Sequence, residues 1–296
     1  MKIGFVGLGN MGTGMANNIL EKINNKSDLY VYTRTLNKIK NFTDRGASGT
    51  NSIKEITNSV DVLLTCLPNV ETSIELFMGK NGIFEHANSN QVLVDHSTVD
   101  VKTSKECFNS ASSKGLNFLD APISGGPGGA ADGTLTIMVG GKESSFKSSK
   151  EAFDMMGSKI SHMGPSGAGT AMKLVNQLLV STNTVAAAEA FVLAEQSGVN
   201  LTAAIDILST SWGRSTMIER NGPITVNKEF ENSPAPLRNL VKDLGIIKEL
   251  TSQLGLNLPV TMASSGVVDE TMRLDLEEPD IAATALSIKK ISGIDS

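Results

Sequence analysis

Gly7-Leu8-Gly9-Asn10-Met11-Gly12 fits the spacing GxGxxG, a pattern whose chemistry is anion binding. It follows the short apolar run Lys2-Ile3-Gly4-Phe5-Val6 and precedes a helical pattern carried by Met11, Met15, Ile19 and Leu20. That context, strand then glycines then helix, gives the motif its meaning. Gly7 permits a tight turn, Gly9 lets the backbone approach a pyrophosphate, and Gly12 lets the helix pack on the strand. The helix N-terminus then offers N–H groups and a positive dipole end to the phosphates. The expected ligand is a nicotinamide dinucleotide. Its form turns on the end of the second strand, where an acid about 20 residues beyond the loop would hold a ribose 2′-hydroxyl. Here the residues are Thr33, Arg34 and Thr35. A guanidinium matches a 2′-phosphate and no carboxylate repels it, so NADP is favoured and NAD remains possible. The plainer reading of Arg34 is a solvated surface arginine.

Leu67-Pro68 and Ser97-Thr98 each follow a strand, where open α/β sheets bind ligands. Thr98 suits a bond to ribose or amide, or a cap on the next helix, and both roles are compatible. Two further motifs carry polar chemistry. In Asp120-Ala121-Pro122-Ile123-Ser124-Gly125-Gly126 the Ser124 hydroxyl precedes two glycines whose N–H groups are unshielded. Successive exposed N–H groups form an anion-binding concavity suited to a carboxylate. A flexible connection without a ligand is the competing reading, and the small residues 127–133 continue it. In Gly167-Ala168-Gly169-Thr170-Ala171-Met172-Lys173-Leu174-Val175-Asn176-Gln177, Lys173 and Asn176 share a helix face near the N-terminus. Cations are disfavoured there. Such a site suits a lysine whose proton affinity is lowered for acid–base work, but an ordinary solvated lysine fits the same residues.

The elements that must position these groups alternate. Strands are expected at 2–6, 29–32, 60–67, 91–95, 117–121, 134–139 and near 159–162, with helices at 11–22, 37–44, 70–78, 99–113 and 143–156. Alternation of this kind specifies βαβ units and a parallel sheet covered on both faces. Gly164-Pro165-Ser166-Gly167 is punctuation. Beyond it the pattern is helical only, at 170–197, 201–209, 237–254, 260–274 and 281–289, and 221–236 with its three prolines is the least regular stretch. The expected fold class is α/β: a Rossmann-like doubly wound domain over 1–164, then an all-α substrate and oligomerisation domain over 165–296.

Composition bounds the partners. The chain has 296 residues, 40% hydrophobic and 4% aromatic, with 26 basic against 31 acidic residues and a net charge of −5. A chain this long supports two ordinary domains. The charge leaves no basic footprint for nucleic acid, and no metal is expected. The apolar stretches read as too short and interrupted to span a bilayer, and the first residues read as a strand without a signal-peptide pattern. Cys66 and Cys107 form no CxxC pair or disulfide framework, so a reduced, cytoplasmic setting is expected.

Taken in order, these motifs resemble the β-hydroxyacid dehydrogenase family, which includes 3-hydroxyisobutyrate dehydrogenase, tartronate semialdehyde reductase and glyoxylate/succinic semialdehyde reductases. The resemblance covers nearly the whole chain: the glycine loop through Ile19, the Arg34-Thr35 pair, Leu67-Pro68, 95–98, 120–141, 167–177 and Lys242-Asp243-Leu244. It implies hydride transfer between a nicotinamide and a small β-hydroxyacid or aldehyde acid, with Lys173 as general acid and base. It further implies that Ser124, Gly125 and Gly126 hold the substrate carboxylate, Asn176 orients the substrate, Lys242 and Asp243 reach the site, and Thr98 touches the cofactor. A homodimer or homotetramer is implied as well. Many NADP-using members read Asn-Arg-Thr where this chain has Thr33-Arg34-Thr35, and Gln177 stands where some have a second asparagine. The alternatives are an imine reductase, whose members usually lack the lysine, a 6-phosphogluconate dehydrogenase, which needs a longer helical domain, and a non-catalytic NADP-binding sensor or scaffold. Trp212, Arg214 and Met217 fit pocket, interface or core equally well.

Overall fold

The computed structural model describes residues 1–233 and 235–294. Pro234, in the stretch expected to be irregular, and the last two residues of the expected helical domain lie outside the described residues. The chain divides into two compact units, 1–173 and 174–296, a boundary nine residues later than the one read from the glycine and proline punctuation.

In the first unit the strands are β1 (Ile3–Val6), β2 (Leu29–Tyr32), β3 (Ser48–Gly49), β4 (Val62–Thr65), β5 (Val92–Asp95), β6 (Asn117–Asp120), β7 (Ile123–Ser124), β8 (Leu135–Gly141) and β9 (Gly157–Gly164). The helices are α1 (Asn10–Lys22), α2 (Leu36–Thr43), α3 (Ile53–Ser59), α4 (Val70–Met78), α5 (Ile83–His86), α6 (Val101–Ser113), α7 (Gly126–Asp132) and α8 (Glu143–Asp154). Among the described residues the sheet runs β3-β2-β1-β4-β5-β6-β8-β7, with β9 beside β8. All pairs from β3 to β6 are parallel, and β8 runs antiparallel to β6 and β7. The chain builds outward from β1 to β3, then returns to start again at β4 on the other side of β1. That reversal opens a crevice beyond the C-terminal ends of β1 and β4.

Both faces of the sheet are covered, as parallel strands require. Phe5, Met15, Ile19, Phe42 and Phe153 pack one face beneath α1, α2 and α8. Ile56, Phe77, Phe84, Cys107 and Phe118 pack the other beneath α3 to α6. Burial pushes the Cys107 thiol up to about 12, so it stays protonated and serves as a small hydrophobe. Neither cysteine is part of a disulfide.

The expected connection at 127–133 is instead helix α7. Its signals are Pro127 in the first turn and Gly133, in the left-handed region at φ 66°, just past the end. Tertiary packing completes it. Asn18 of α1 donates its amide to the carbonyls of Gly14, Ala130 and Ala131, at 3.0, 2.8 and 2.9 Å, so α7's C-terminal carbonyls gain the partners that a helix end otherwise lacks.

The second unit is helical, as expected. Helix α9 (Ala168–Gln196) carries the chain into it, followed by α10 (Leu201–Leu208), α11 (Thr216–Asn227), α12 (Leu237–Gln253), α13 (Pro259–Thr271) and α14 (Thr284–Ile291). Helix α11 occupies much of the stretch expected to be irregular, with Pro223 inside it. Its start is capped by Ser215. Gly222 lies so close to Ile205 that a Cβ there would fall 2.9 Å from that side chain, so packing on α10 outweighs the proline's local cost. Buried Asp280 receives both guanidinium nitrogens of Arg220 and the Ser233 hydroxyl. Helix α9, 29 residues with a mean hydropathy of 1.3 over its most apolar window, is long and apolar enough to cross a membrane by length and composition. This corrects the expectation that every apolar stretch falls short. Ala187, Phe191 and Val185 pack part of it into the unit's own core against α10 to α13, and 39% of that window is buried.

Asn18→Ala is expected to destabilise the protein by about 1–3 kcal/mol, the cost of stranding buried carbonyls. Urea unfolding measures it, and an unchanged midpoint would refute this role for Asn18.

Candidate active site

The glycine loop sits at the sheet's reversal point, after β1. Gly7 adopts φ 100°, and its N–H donates to Tyr32 O at 3.0 Å. A Cβ on Gly12 would lie 1.9 Å from Gly7 O, so only glycine lets α1 start this close to β1. A Cβ on Gly9 would meet nothing within 4 Å. The space there belongs to no protein atom, while Gly9 caps α1 without any side-chain bond. An open cradle with backbone N–H groups at a helix N-terminus fits a pyrophosphate. Leu8 is buried, whereas Asn10 and Met11 lie on the first turn nearer solvent.

Thr33, Arg34 and Thr35 follow β2, with Arg34 exposed. Thr35 precedes α2 but makes no side-chain cap. Sequence reading missed Lys38, whose ammonium donates to Leu8 O at 2.9 Å. It brings a second positive charge from α2 to the glycine loop. The lysine-after-RT spacing was the available signal.

The exits of β4, β5 and β6 are tied side by side. Buried Asp95 Oδ1 accepts from Thr65 Oγ1 at 3.0 Å and from Ser97 N at 2.9 Å. Ser97 Oγ in turn accepts from Leu67 N at 2.8 Å. Burial raises the Asp95 carboxyl above its ordinary range, and the bonds from Ser97 and Thr65 pull it back down. These ties hold Leu67-Pro68 and Thr98 at the mouth of the crevice. Thr98 is not the cap of α6. Asp100 is, its Oδ1 accepting from Thr103 N at 2.8 Å, because the helix starts at Val101, two residues later than its apolar pattern implied. His96 is buried and donates Nδ1–H to Ala121 O at 2.6 Å, anchoring the stretch that leads to Ser124. Phe153 meets its ring edge-on. Desolvation lowers the His96 pKa to about 4.

Ser124, half-buried, ends β7 and pairs with Thr136 of β8. Gly125 and Gly126 are exposed, at φ 132° and 64°. Gly125 precedes α7 and Gly126 begins it, and both take the positive φ that glycine allows without strain. Lys173 lies in the second turn of α9 and is only 8% exposed. A lysine so buried, near a helix N-terminus, is not the solvated surface residue that the sequence left open. Among the described residues no cluster of three His, Cys, Asp or Glu is placed to hold a metal.

In the second unit Asn176 donates to Gln177 Oε1 at 3.0 Å, and Gln177 donates to the buried carboxylate of Asp243. Lys242 Nζ lies 3.3 Å from Asp243 Oδ1. The unit thus brings Asn176, Lys242 and Asp243 into one bonded set through Gln177, a link that sequence reading passed over. Trp212 is fully exposed and Arg214 exposed, while Met217 packs against the α9–α12–α13 core.

Residues 2–164 match the family model for the NAD binding domain of 6-phosphogluconate dehydrogenase, and residues 167–287 match that for the NAD-binding region of NADP-dependent 3-hydroxyisobutyrate dehydrogenase. The chain belongs to the β-hydroxyacid dehydrogenase family. Among its relatives, this dehydrogenase is 30% identical to the 2-(hydroxymethyl)glutarate dehydrogenase of Eubacterium barkeri over 99% of this chain and 97% of the other. It is 32% identical to an uncharacterized oxidoreductase of Bacillus subtilis over 90% and 92% of the two chains. The solved 3-hydroxyisobutyrate dehydrogenase of Mycobacterium tuberculosis with L-serine superposes at a TM-score of 0.86, with 28% identity over 97% of this dehydrogenase and 98% of that chain. The first unit is accordingly a nicotinamide dinucleotide-binding domain.

His96 has a pH consequence. Its folded pKa is below the unfolded 6.5, so between pH 6.5 and about 4 the unfolded chain takes up a proton that the native state refuses. The stability contributed is complete above pH 6.5 and falls with acidity by about 1.4 kcal/mol per unit. Unfolding curves at pH 7, 6 and 5 are expected to show a shallower pH dependence for His96→Gln than for the parent. Parallel curves would mean that His96 does not carry it.

Proposed function

We propose that this dehydrogenase is an NADP-preferring enzyme acting on a small β-hydroxyacid and its aldehyde acid, with Lys173 as the proton-transfer residue. The observation that carries the reading is a lysine buried in the second turn of α9, near the positive end of the helix dipole. When bound, the nicotinamide supplies the hydride in reduction and takes it up in oxidation. In reduction the Lys173 ammonium hands its proton to the carbonyl oxygen as negative charge develops there. In oxidation the neutral amine removes the hydroxyl proton. Ser124 Oγ and the N–H groups of Gly125 and Gly126 hold the substrate carboxylate and so fix the distance between that group and the reacting carbon. For Asn176, Lys242 and Asp243, family resemblance supports a role in substrate recognition.

NADP preference is supported by Arg34 and Lys38, two cations without an acid among residues 33–35. Thr35 adds a hydroxyl left free of capping. The dinucleotide's remaining contacts are assigned to Gly7, Leu8, Gly9, Asn10, Met11, Gly12, Thr33, Leu67, Pro68 and Thr98. We propose a cytoplasmic homo-oligomer. Val175, Leu179 and Leu193 of α9 are 51%, 53% and 68% exposed, an apolar stripe that a second copy would cover. Sedimentation as a monomer at micromolar concentration would reject that assembly.

NADPH and NADH oxidation against glyoxylate, succinic semialdehyde, tartronate semialdehyde and methylmalonate semialdehyde tests the activity. Lys173→Ala is expected to cost ~10²–10⁴-fold in kcat while NADPH still binds; undiminished turnover would remove Lys173 from the mechanism. Arg34→Ala is expected to lower the preference for NADPH over NADH by roughly 10–100-fold, the worth of a charge-assisted bond. An unaltered preference would return Arg34 to the solvated surface.

A further inference from the structure

Helix α9 begins at Ala168. Its first turn is held from outside, by a carboxylate some fifty residues earlier in the chain. Asp120 stands at the C-terminal end of β6 and is 1% exposed. One oxygen, Oδ1, accepts from Gly167 N at 2.8 Å and from Ser166 Oγ at 3.3 Å. The other, Oδ2, accepts from Thr170 N at 2.9 Å. The bonds span the two sides of the turn that starts the helix, so they set both its position and its direction. Glycines bring the backbone within reach. A Cβ on Gly140 would fall 2.7 Å from both Asp120 oxygens, and one on Gly169 would fall 2.3 Å from Met138 O. Thr170 Oγ1 meets Ser104 Oγ of α6 at 2.8 Å. Lys173 follows Thr170 by three residues, less than one helical turn, and a helix transmits the position of its first turn rigidly over that distance.

We propose that Asp120 is a positioning residue for proton transfer, its carboxylate clamping the start of α9 to β6 so that Lys173 is held in register with the reacting oxygen. The inference rests on Lys173 being the proton-transfer group. The clamp needs a carboxylate in particular. Both of its oxygens accept, and each faces a backbone N–H. An amide of the same shape keeps one acceptor and turns an NH₂ toward the other N–H. The negative charge also lies at the positive end of the helix dipole. Burial raises the Asp120 carboxyl above its ordinary range, and the Gly167 and Thr170 bonds oppose that rise.

The test is a double-mutant cycle read by steady-state kinetics with NADPH and an aldehyde acid, using Asp120→Asn, Lys173→Ala and the pair. Asp120→Asn is expected to lower kcat ~10–100-fold, with KM for NADPH within about twofold of the parent, because only the reacting geometry is disturbed. In the Lys173→Ala background it is expected to cost nothing further, since a residue acting through the lysine has nothing left to position. Undiminished kcat in Asp120→Asn overturns the proposal. So does an equal loss in both backgrounds, or a parallel loss of NADPH affinity, either of which marks a general structural role. Undiminished turnover in Lys173→Ala instead overturns the lysine reading itself. If Asp120→Asn does not fold, Thr170→Pro and Thr170→Val replace it. Both remove the hydroxyl, but only proline, tolerated in a first helical turn, removes the N–H that Asp120 accepts. Loss of kcat in Thr170→Pro alone supports the clamp, and equal behaviour of the two overturns it.

Discussion

The structure depends on backbone approaching backbone where no side chain can intervene. Gly12 sits against Gly7 O, Gly14 against the Ala130 peptide, and Gly169 against Met138 O, each too close for a Cβ. These contacts seat α1 on β1, α7 on α1, and the start of α9 on β8. Interiors packed at crystal-like density yield little, so a methyl group at any of the three would displace a whole helix. The helices displaced are those whose N-terminal turns carry the glycine loop, the Gly125-Gly126 turn and Lys173.

Polar groups complete what the glycines begin. At the exits of β4, β5 and β6 the buried groups Asp95, Ser97, His96 and Asp120 bond across neighbouring strands rather than to solvent. A buried carboxylate is costly unless its oxygens are occupied; Asp95 Oδ1 accepts from Thr65 and Ser97, and both Asp120 oxygens accept from the segment they position. The same desolvation that raises the Asp95 and Asp120 carboxyls lowers His96. The crevice is therefore rimmed by loops whose positions are fixed by buried bonds, as a site that must orient two reactants requires.

The alternation of strand and helix over the first unit was legible because the buried strands are short, apolar and bounded by turn residues, and the helices carry an apolar stripe. Helix α7 was not, because Gly-Pro-Gly-Gly-Ala-Ala-Asp has almost no hydrophobic periodicity. Its helicity comes from Asn18 and the surface of α1, partners more than a hundred residues away. Helix α11 was hidden by Pro223 for a related reason, since the packing of Gly222 on Ile205 is invisible to local propensity. The start of α6 was misplaced by two residues because the apolar pattern runs on past its true cap, Asp100.

By itself the sequence determined the class of chemistry. The order and spacing of the GxGxxG loop, the Arg34 pair, the Ser124-Gly125-Gly126 run and the Lys173 helix are local patterns, and local patterns are written in consecutive residues. The tertiary structure alone decided which side chains serve those motifs: Lys38 at Leu8 O, Asn18 under α7, Gln177 between Asn176 and Asp243, and Asp120 at the head of α9. It also decided that Lys173 is buried rather than solvated. Apart from the Asn176–Gln177 bond, these join residues 30 to 112 positions apart; like burial itself, they depend on which surfaces the fold brings together, and spacing along the chain carries no record of that.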